Sequence, residues 1–318
     1  MKEIAFINSN INRWKKFEKD IDSKLDKNPD EIAALYIQIT DDLSYCRTFY
    51  PESNTLSYLN QLASKAHLNI YKNKKENKNK LKIFWKYEFP LILYTHKKFI
   101  YISLIIFLIS ALIGSLSAAN DNTFVRLILG DQYVDMTIDN IQKGDPMAVY
   151  KQAIQTDMFL AITFNNIKVS FMAFIMGIFI AFGTVYILLY NGIMLGSFQY
   201  FFYDYGLLKH SVLTIWIHGT LEIFAIIMAG AAGLILGSSI LFPNTYSRLQ
   251  SFKFGVKTGI KIIIGIIPLF IVAGFLEGFV TRYTEAPNFL RAGIIIASLI
   301  FIVWYFFIYP NKLYKIKA

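Results

Sequence analysis

Residues 210–238 read HSVLTIWIHGTLEIFAIIMAGAAGLILGS, and His210, His218 and Glu222 are the only ionisable groups among them. A helix needs about 20 apolar residues to cross a bilayer's hydrocarbon, and this run exceeds that. Further stretches of the same kind lie at 99–118, 167–190, 260–280 and 290–309. A sixth, 191–206 (NGIMLGSFQYFFYDYG), is apolar but short, and reads as a short span, a re-entrant segment or an interfacial helix. The expected fold class is therefore all-α: a polytopic helical membrane domain over residues 98–310.

Composition agrees. The chain is 55% hydrophobic with a mean hydropathy of +0.41, above the 45–50% apolar content usual in water-soluble domains. The excess is concentrated after Phe99, whereas residues 1–97 read as a soluble region. Residues 8–26 carry Ile11, Trp14, Phe17, Ile21 and Leu25 at helical spacing. Asn28, Pro29, Asp30 and Glu31 give a helix start, with acids at the positive end of the dipole. That second helix is expected to stop before Pro51, and Ser53 or Asn54 to cap a third reaching Tyr71. Residues 1–80 are expected to form a cytosolic antiparallel bundle, with Trp14, Tyr36, Tyr45 and Tyr50 in packing roles, followed by the basic linker 72–80 (KNKKENKNK). Residues 81–97 predict an amphipathic elbow on the membrane surface, its helix ended by Pro90.

Lysine placement sets the expected orientation. Residues 71–98 hold nine lysines and two glutamates, which favours the cytoplasm. Residues 119–166 hold six aspartates and three Lys or Arg, which suits an extracytoplasmic loop. Arg248, Lys253, Lys257 and Lys261, like the tail at 311–318, favour the inside. Six crossings satisfy all of these, and five do not. The N-terminus is then cytoplasmic and the first hydrophobic helix an uncleaved anchor, since residues 1–27 lack an apolar signal core. The net charge of +10 is assigned to anionic lipid and not to nucleic acid. A lone cysteine, Cys46, excludes an intramolecular disulfide and a paired-thiolate metal site.

Small residues recur at four-residue spacing: Gly192/Gly196, Ala225/Ala229/Gly233/Gly237 and Gly274/Gly278, with Gly219 nearby. In lipid such stripes let backbones approach closely. They predict helix packing within the chain, or, for one stripe, a homo-oligomer interface. Polar groups inside apolar helices are costly and default to a functional hypothesis. Here they are Asn165, Asn166, Asn191, Gln199, His218, Glu222 and Glu277. His218 and Glu222 lie one turn apart on one helix face, which they share with Ala225 and Ala229. In the six-span arrangement His218, Glu222, Glu277, Asn165 and Asn166 fall toward the outer side and converge.

Three readings of that cluster compete: a buried hydrogen-bonded network, a proton-coupled transport or ion site, and a metal-dependent intramembrane hydrolase. His218, Glu222 and Glu277 could ligate zinc, yet one histidine is few for a catalytic site and HExxH is absent. His67, His96 and His210 are expected at surfaces or interfaces. No phosphate-binding, dinucleotide or nucleophile-elbow motif is present; no catalytic residue and no cofactor is implied.

ITFNNIKVSFMAFIMG (162–177), YNGIMLGSF (190–198), HGTLEIFAIIMAGAAGLILG (218–237) and AGFLEGFVT (273–281), taken in order, resemble the stage II sporulation protein M family of bacterial membrane proteins. The resemblance spans about 99–309. Asn165, Asn166, Asn191, Gly192, His218, Gly219, Glu222 and Glu277 match its signature positions. It implies a multi-pass protein of the bacterial inner (cytoplasmic) membrane. In spore formers, the family belongs to the engulfment machinery, where it localises and scaffolds peptidoglycan-degrading partners. The additional N-terminal region departs from the shorter sporulation form. It points to a more general cell-envelope scaffold or assembly role, with membrane lipids and envelope or peptidoglycan-remodelling proteins as expected partners.

Overall fold

The structure is a computed structural model, and residues 2–22, 29–72, 79–151 and 154–317 are described. Among them every regular element is helical. The chain divides into two units, Met1–Lys80 and Leu81–Ala318.

The first unit contains α1 (Glu3–Asp22), α2 (Pro29–Phe49) and α3 (Asn54–Lys72). The apolar stripe of α1 turns Phe6, Trp14 and Phe17 onto Ile39, Cys46, Leu59, Leu62 and Ala66. Tyr36, Tyr45 and Tyr50 pack around that core. Trp14 is almost wholly buried, and its indole N–H donates to Asp42 Oδ2 at 2.8 Å, so the large ring is enclosed without an unmet donor. Asp42 also pairs with Arg13. Ser53 caps α3: its Oγ accepts from the Thr55 N–H at 2.9 Å. Leu25 and Asn28 lie outside the described residues, as do positions 73–78 of the expected linker.

The second unit holds six helices long and apolar enough to cross a membrane. They are α5 (Lys97–Asn120), α8 (Gln155–Ile178), α9 (Phe182–Asp204), α10 (Leu208–Leu241), α11 (Arg248–Thr281) and α12 (Asn288–Ile316). The protein is a polytopic α-helical membrane protein. Ahead of α5, a turn at Lys80–Ile83 runs through a π-helical segment, Phe84–Glu88, into α4 (Phe89–Thr95). Between α5 and α8, two short helices follow, α6 (Asn122–Leu129), capped by Asp121 accepting from Thr123 N–H, and α7 (Asp131–Gln142). This segment seats Val125, Val134 and Met147 on Phe201, Phe202 and Ile215 of α9 and α10.

α10 is the central helix, touching α5, α8, α9, α11 and α12. Its second half is sealed by small residues: Ala225, Ala229, Ala231 and Ala232 have no exposed surface. A Cβ at Gly233 would strike the Ala173 carbonyl and the Thr184 side chain, and one at Gly237 would strike the backbone of Ala181. Ser103 Oγ of α5 donates to Ile227 O at 2.7 Å, a contact that requires the same close approach. α5 and α9 pair similarly, with Gly196 against the Ala111 carbonyl.

Three boundaries differ from the sequence expectation. The span expected at 167–190 is two helices, which reverse at Phe179–Ala181, and the stretch 191–206 is the second half of the full-length α9. α8 starts at Gln155, and its Asn165, Asn166 and Lys168 line a cavity within the unbroken helix. Its end is invisible in sequence because the reversal uses Ile180 and Ala181 at φ of 53° and 66°, a region a β-branched residue rarely enters. The helix at 81–90 does not stop at Pro90 and is not loosely apposed. Phe89, Pro90 and Leu93 are buried, with Phe89 edge-on to Phe306 at 5.9 Å.

Candidate functional site

Two helices carry the central cluster. α10 presents His218 and Glu222 one turn apart. The last part of α11, Leu276–Thr281, is π-helical and presents Glu277 and Thr281. Such widened turns recur at functional sites because they redirect side chains without ending the helix. Ligating atoms of His218, Glu222 and Glu277 all lie within 4.8 Å of one another.

The hydrogen bonds around the imidazole are consistent with one tautomer. Thr281 Oγ donates to Leu276 O at 3.1 Å, which uses its single proton. Thr281 therefore accepts from His218, whose Nδ1 stands 3.0 Å away. In a neutral ring this leaves Nε2 as a bare lone pair. Nε2 faces Glu277 Oε2 at 3.7 Å, beyond hydrogen-bond reach. His218 itself is only 4% exposed.

α8 supplies Asn166, which is buried and faces the Glu222 carboxylate. Asn165 and Asn191 line the same cavity of about 1130 Å³, but Asn191 Nδ2 donates back to Ile187 O at 2.8 Å and not to the cluster. Six of the seven polar residues singled out from sequence thus border one cavity, Gln199 being the exception, and ligating atoms of three of them lie within 4.8 Å of one another.

Gly219 is the exception among the expected packing glycines. Its nearest contacts are side chains of its own helix, Ile215 at 3.8 Å and Ile223 at 3.9 Å. It lines the cavity, so it keeps the floor open instead of admitting a neighbouring backbone. Gly192, Gly196, Gly233 and Gly237 make the close approaches, as do Gly274 against Thr163 and Gly278 against Phe159.

Sequence reasoning overlooked three contributors. Thr281 lies four residues beyond Glu277, so helical spacing alone could have flagged it. Lys168 lines the cavity from within α8, and the rule that selected the asparagines would have found it. Tyr150 comes from the segment before α8 and carries no periodic signal. Its ring centroid lies 5.9 Å from that of His218. Burial, and then the nearby Glu277 carboxylate, hold its phenol well above the usual tyrosine range. His67 is exposed, while His96 and His210 are half-buried, away from the cluster.

A family model described as Stage II sporulation protein M matches residues 103–282, from within α5 to the end of α11. The chain belongs to this family. All the cavity's polar residues lie inside the family segment, whereas the first unit and α12 lie outside it. A second model, Domain of unknown function (DUF8413), matches residues 4–72. An uncharacterized protein of Methanocaldococcus jannaschii is 26% identical over 151 residues, 46% of this chain and 67% of that relative. No solved structure matches the chain.

Proposed function

We propose that the protein is a cell-envelope scaffold or assembly factor of the bacterial cytoplasmic membrane. It presents the N-terminal helical unit and the C-terminal tail to the cytoplasm, and the segment 121–154 to the outside. Peptidoglycan-remodelling enzymes are the partner class that the family resemblance implies.

The observation that carries this reading over a solute conduit is the closure of α10 beyond Glu222. From Ala225 to Gly237 the helix is buried against backbone and small side chains of its neighbours. The cavity at His218 follows α10 no further than Ile226. Opening a path past it would require separating several close-packed helices at once, and such interfaces resist graded deformation. A rigid bundle with a recess and a water-exposed helical unit suits holding partners in place.

The orientation follows from charge. Lys80, Lys82, Lys86, Lys97 and Lys98 join Arg248, Lys253, Lys257 and Lys261 at one end of the spans. Asp121, Asp131, Asp135, Asp139 and Asp145 gather at the other. Basic flanks favour the cytoplasmic side.

Reconstitution tests the choice. The full chain in proteoliposomes is expected to leave ion and small-solute permeability at the level of empty vesicles. Photo-crosslinkers placed in 121–151 are expected to trap an envelope hydrolase in cells. Flux abolished by Glu222→Gln, with the variant folded, would establish a transporter instead.

A further inference from the structure

We propose that His218 Nε2, Glu222 and Glu277 bind one divalent transition-metal ion of the zinc class, at the floor of the cavity. This goes beyond the scaffold reading and stands without it.

Three observations converge. First, the imidazole is oriented as a ligand. Thr281 holds Nδ1–H, so the lone pair on Nε2 points at the Glu277 carboxylate. Two electron-rich groups facing each other in a buried site repel unless a proton or a metal cation lies between them. A second-shell acceptor on the far nitrogen is the arrangement that fixes metal-bound histidines.

Second, the spacing fits. Zinc binds nitrogen and oxygen ligands at about 2.0–2.2 Å, which puts neighbouring ligands of a tetrahedron roughly 3.3–3.6 Å apart. The observed 3.7 Å between Nε2 and Oε2 is close to that, and side-chain rotation within the 4.8 Å cluster can bring in Glu222.

Third, the two carboxyl groups favour a cation between them. Two carboxyl groups share a pocket among membrane helices, where an unpaired charge is expensive. Lys168 is the one lysine or arginine among the described residues that line the cavity. Among the described residues, however, no ion pair joins a lysine or arginine to Glu222 or Glu277. Asn166 meets Glu222 from the side of α8. Three protein ligands would leave a fourth position open toward the cavity, as a tetrahedral ion requires.

The test uses the full chain in detergent, stripped with chelator, reloaded with Zn²⁺ alone and freed of excess. The expected result is close to one zinc per chain. X-ray absorption should show one imidazole and otherwise oxygen ligands. Thr281→Val should weaken zinc affinity about 10- to 100-fold, as loss of an outer-shell partner does. Glu277→Gln, which keeps size and polarity if His218→Ala fails to fold, should lose zinc at least tenfold. Wild-type protein that stays folded and metal-free in micromolar zinc would overturn the proposal. So would a folded Glu277→Gln variant that binds as tightly as wild type, or an absorption spectrum with sulfur or several imidazoles.

Discussion

His218 and Glu277 face each other at 3.7 Å from two different helices, with no hydrogen bond between them. The approach depends on the π-helical turn that ends α11, and on Thr281, which holds the far side of the imidazole. If Thr281 orients the ring, Thr281→Val should leave His218 free to flip, whereas Thr281→Ser should not. Nitrogen NMR of labelled histidine reads this directly. One protonated Nδ1 and one unprotonated Nε2 are expected for His218 in metal-free wild type and Thr281→Ser. A tautomer mixture in wild type would contradict the assignment.

Helix contact in the bundle rests on missing side chains. A methyl at Gly196 would enter the Ala111 carbonyl, whereas one at Gly293 meets nothing within 4 Å. Gly196→Ala should therefore cost about 1–3 kcal/mol, the usual range for overpacking, and Gly293→Ala close to nothing. Thermal melting in one detergent compares the two. Equal losses would show that α5 and α9 do not meet as described.

The segment before α5 contains a hydrogen-bond exchange that can be tested as a cycle. Phe89 N–H bonds Phe84 O in the π turn, which frees Trp85 O, and Pro90 has no N–H for Lys86 O. Tyr305 Oη donates to Trp85 O at 2.6 Å, and Tyr309 Oη to Lys86 O at 2.8 Å. Tyr305→Phe should cost about 1–3 kcal/mol for a carbonyl left without a donor. Tyr309→Phe should cost less in a Pro90→Ala background than alone, since alanine restores an N–H to Lys86 O. Additive losses in that double-mutant cycle would refute the exchange.

The N-terminal unit has a predictable alkaline limit. Tyr58 donates to Glu18 Oε2 at 3.1 Å. Burial first, and then that bond, push its phenol up to about 12. An unfolded tyrosine titrates near pH 10, so the folded state holds this proton more tightly. The stability linked to it is fully present below about pH 10 and lost as pH rises toward about 12. Tyrosinate absorbance of the full chain minus that of Tyr58→Phe should show one group titrating near the upper value. A difference midpoint near 10 would contradict it.

Much of this architecture is written in the sequence, and the omissions have physical causes. The six apolar helices follow from composition, and the pairing of His218 with Glu222 from helical spacing. The α8–α9 reversal does not, because Ile180 and Ala181 are not turn residues. Their conformation is imposed by Gly233 and Gly237, more than fifty positions away, which allow Gly177 and Ala181 to seat on α10. Pro90 signals a helix end because the tyrosine that supplies its missing donor, Tyr309, lies over 200 residues downstream. Gly219 shares the small-residue pattern, yet its role is to leave space. Only the three-dimensional setting separates those two uses of glycine.

Cysteine accessibility most directly tests the central proposal, that the basic flanks face the cytoplasm and the His218 cavity is reached from the opposite side. Cys46 is wholly buried, so the native background should stay unlabelled. Single cysteines replace Asp131, Lys168 and Asn244, and intact cells are treated with a membrane-impermeant maleimide. Asp131→Cys and Lys168→Cys should label at once, and Asn244→Cys only after permeabilisation. Labelling of Asn244→Cys in intact cells, with Asp131→Cys protected, would contradict both the orientation and the cavity's access.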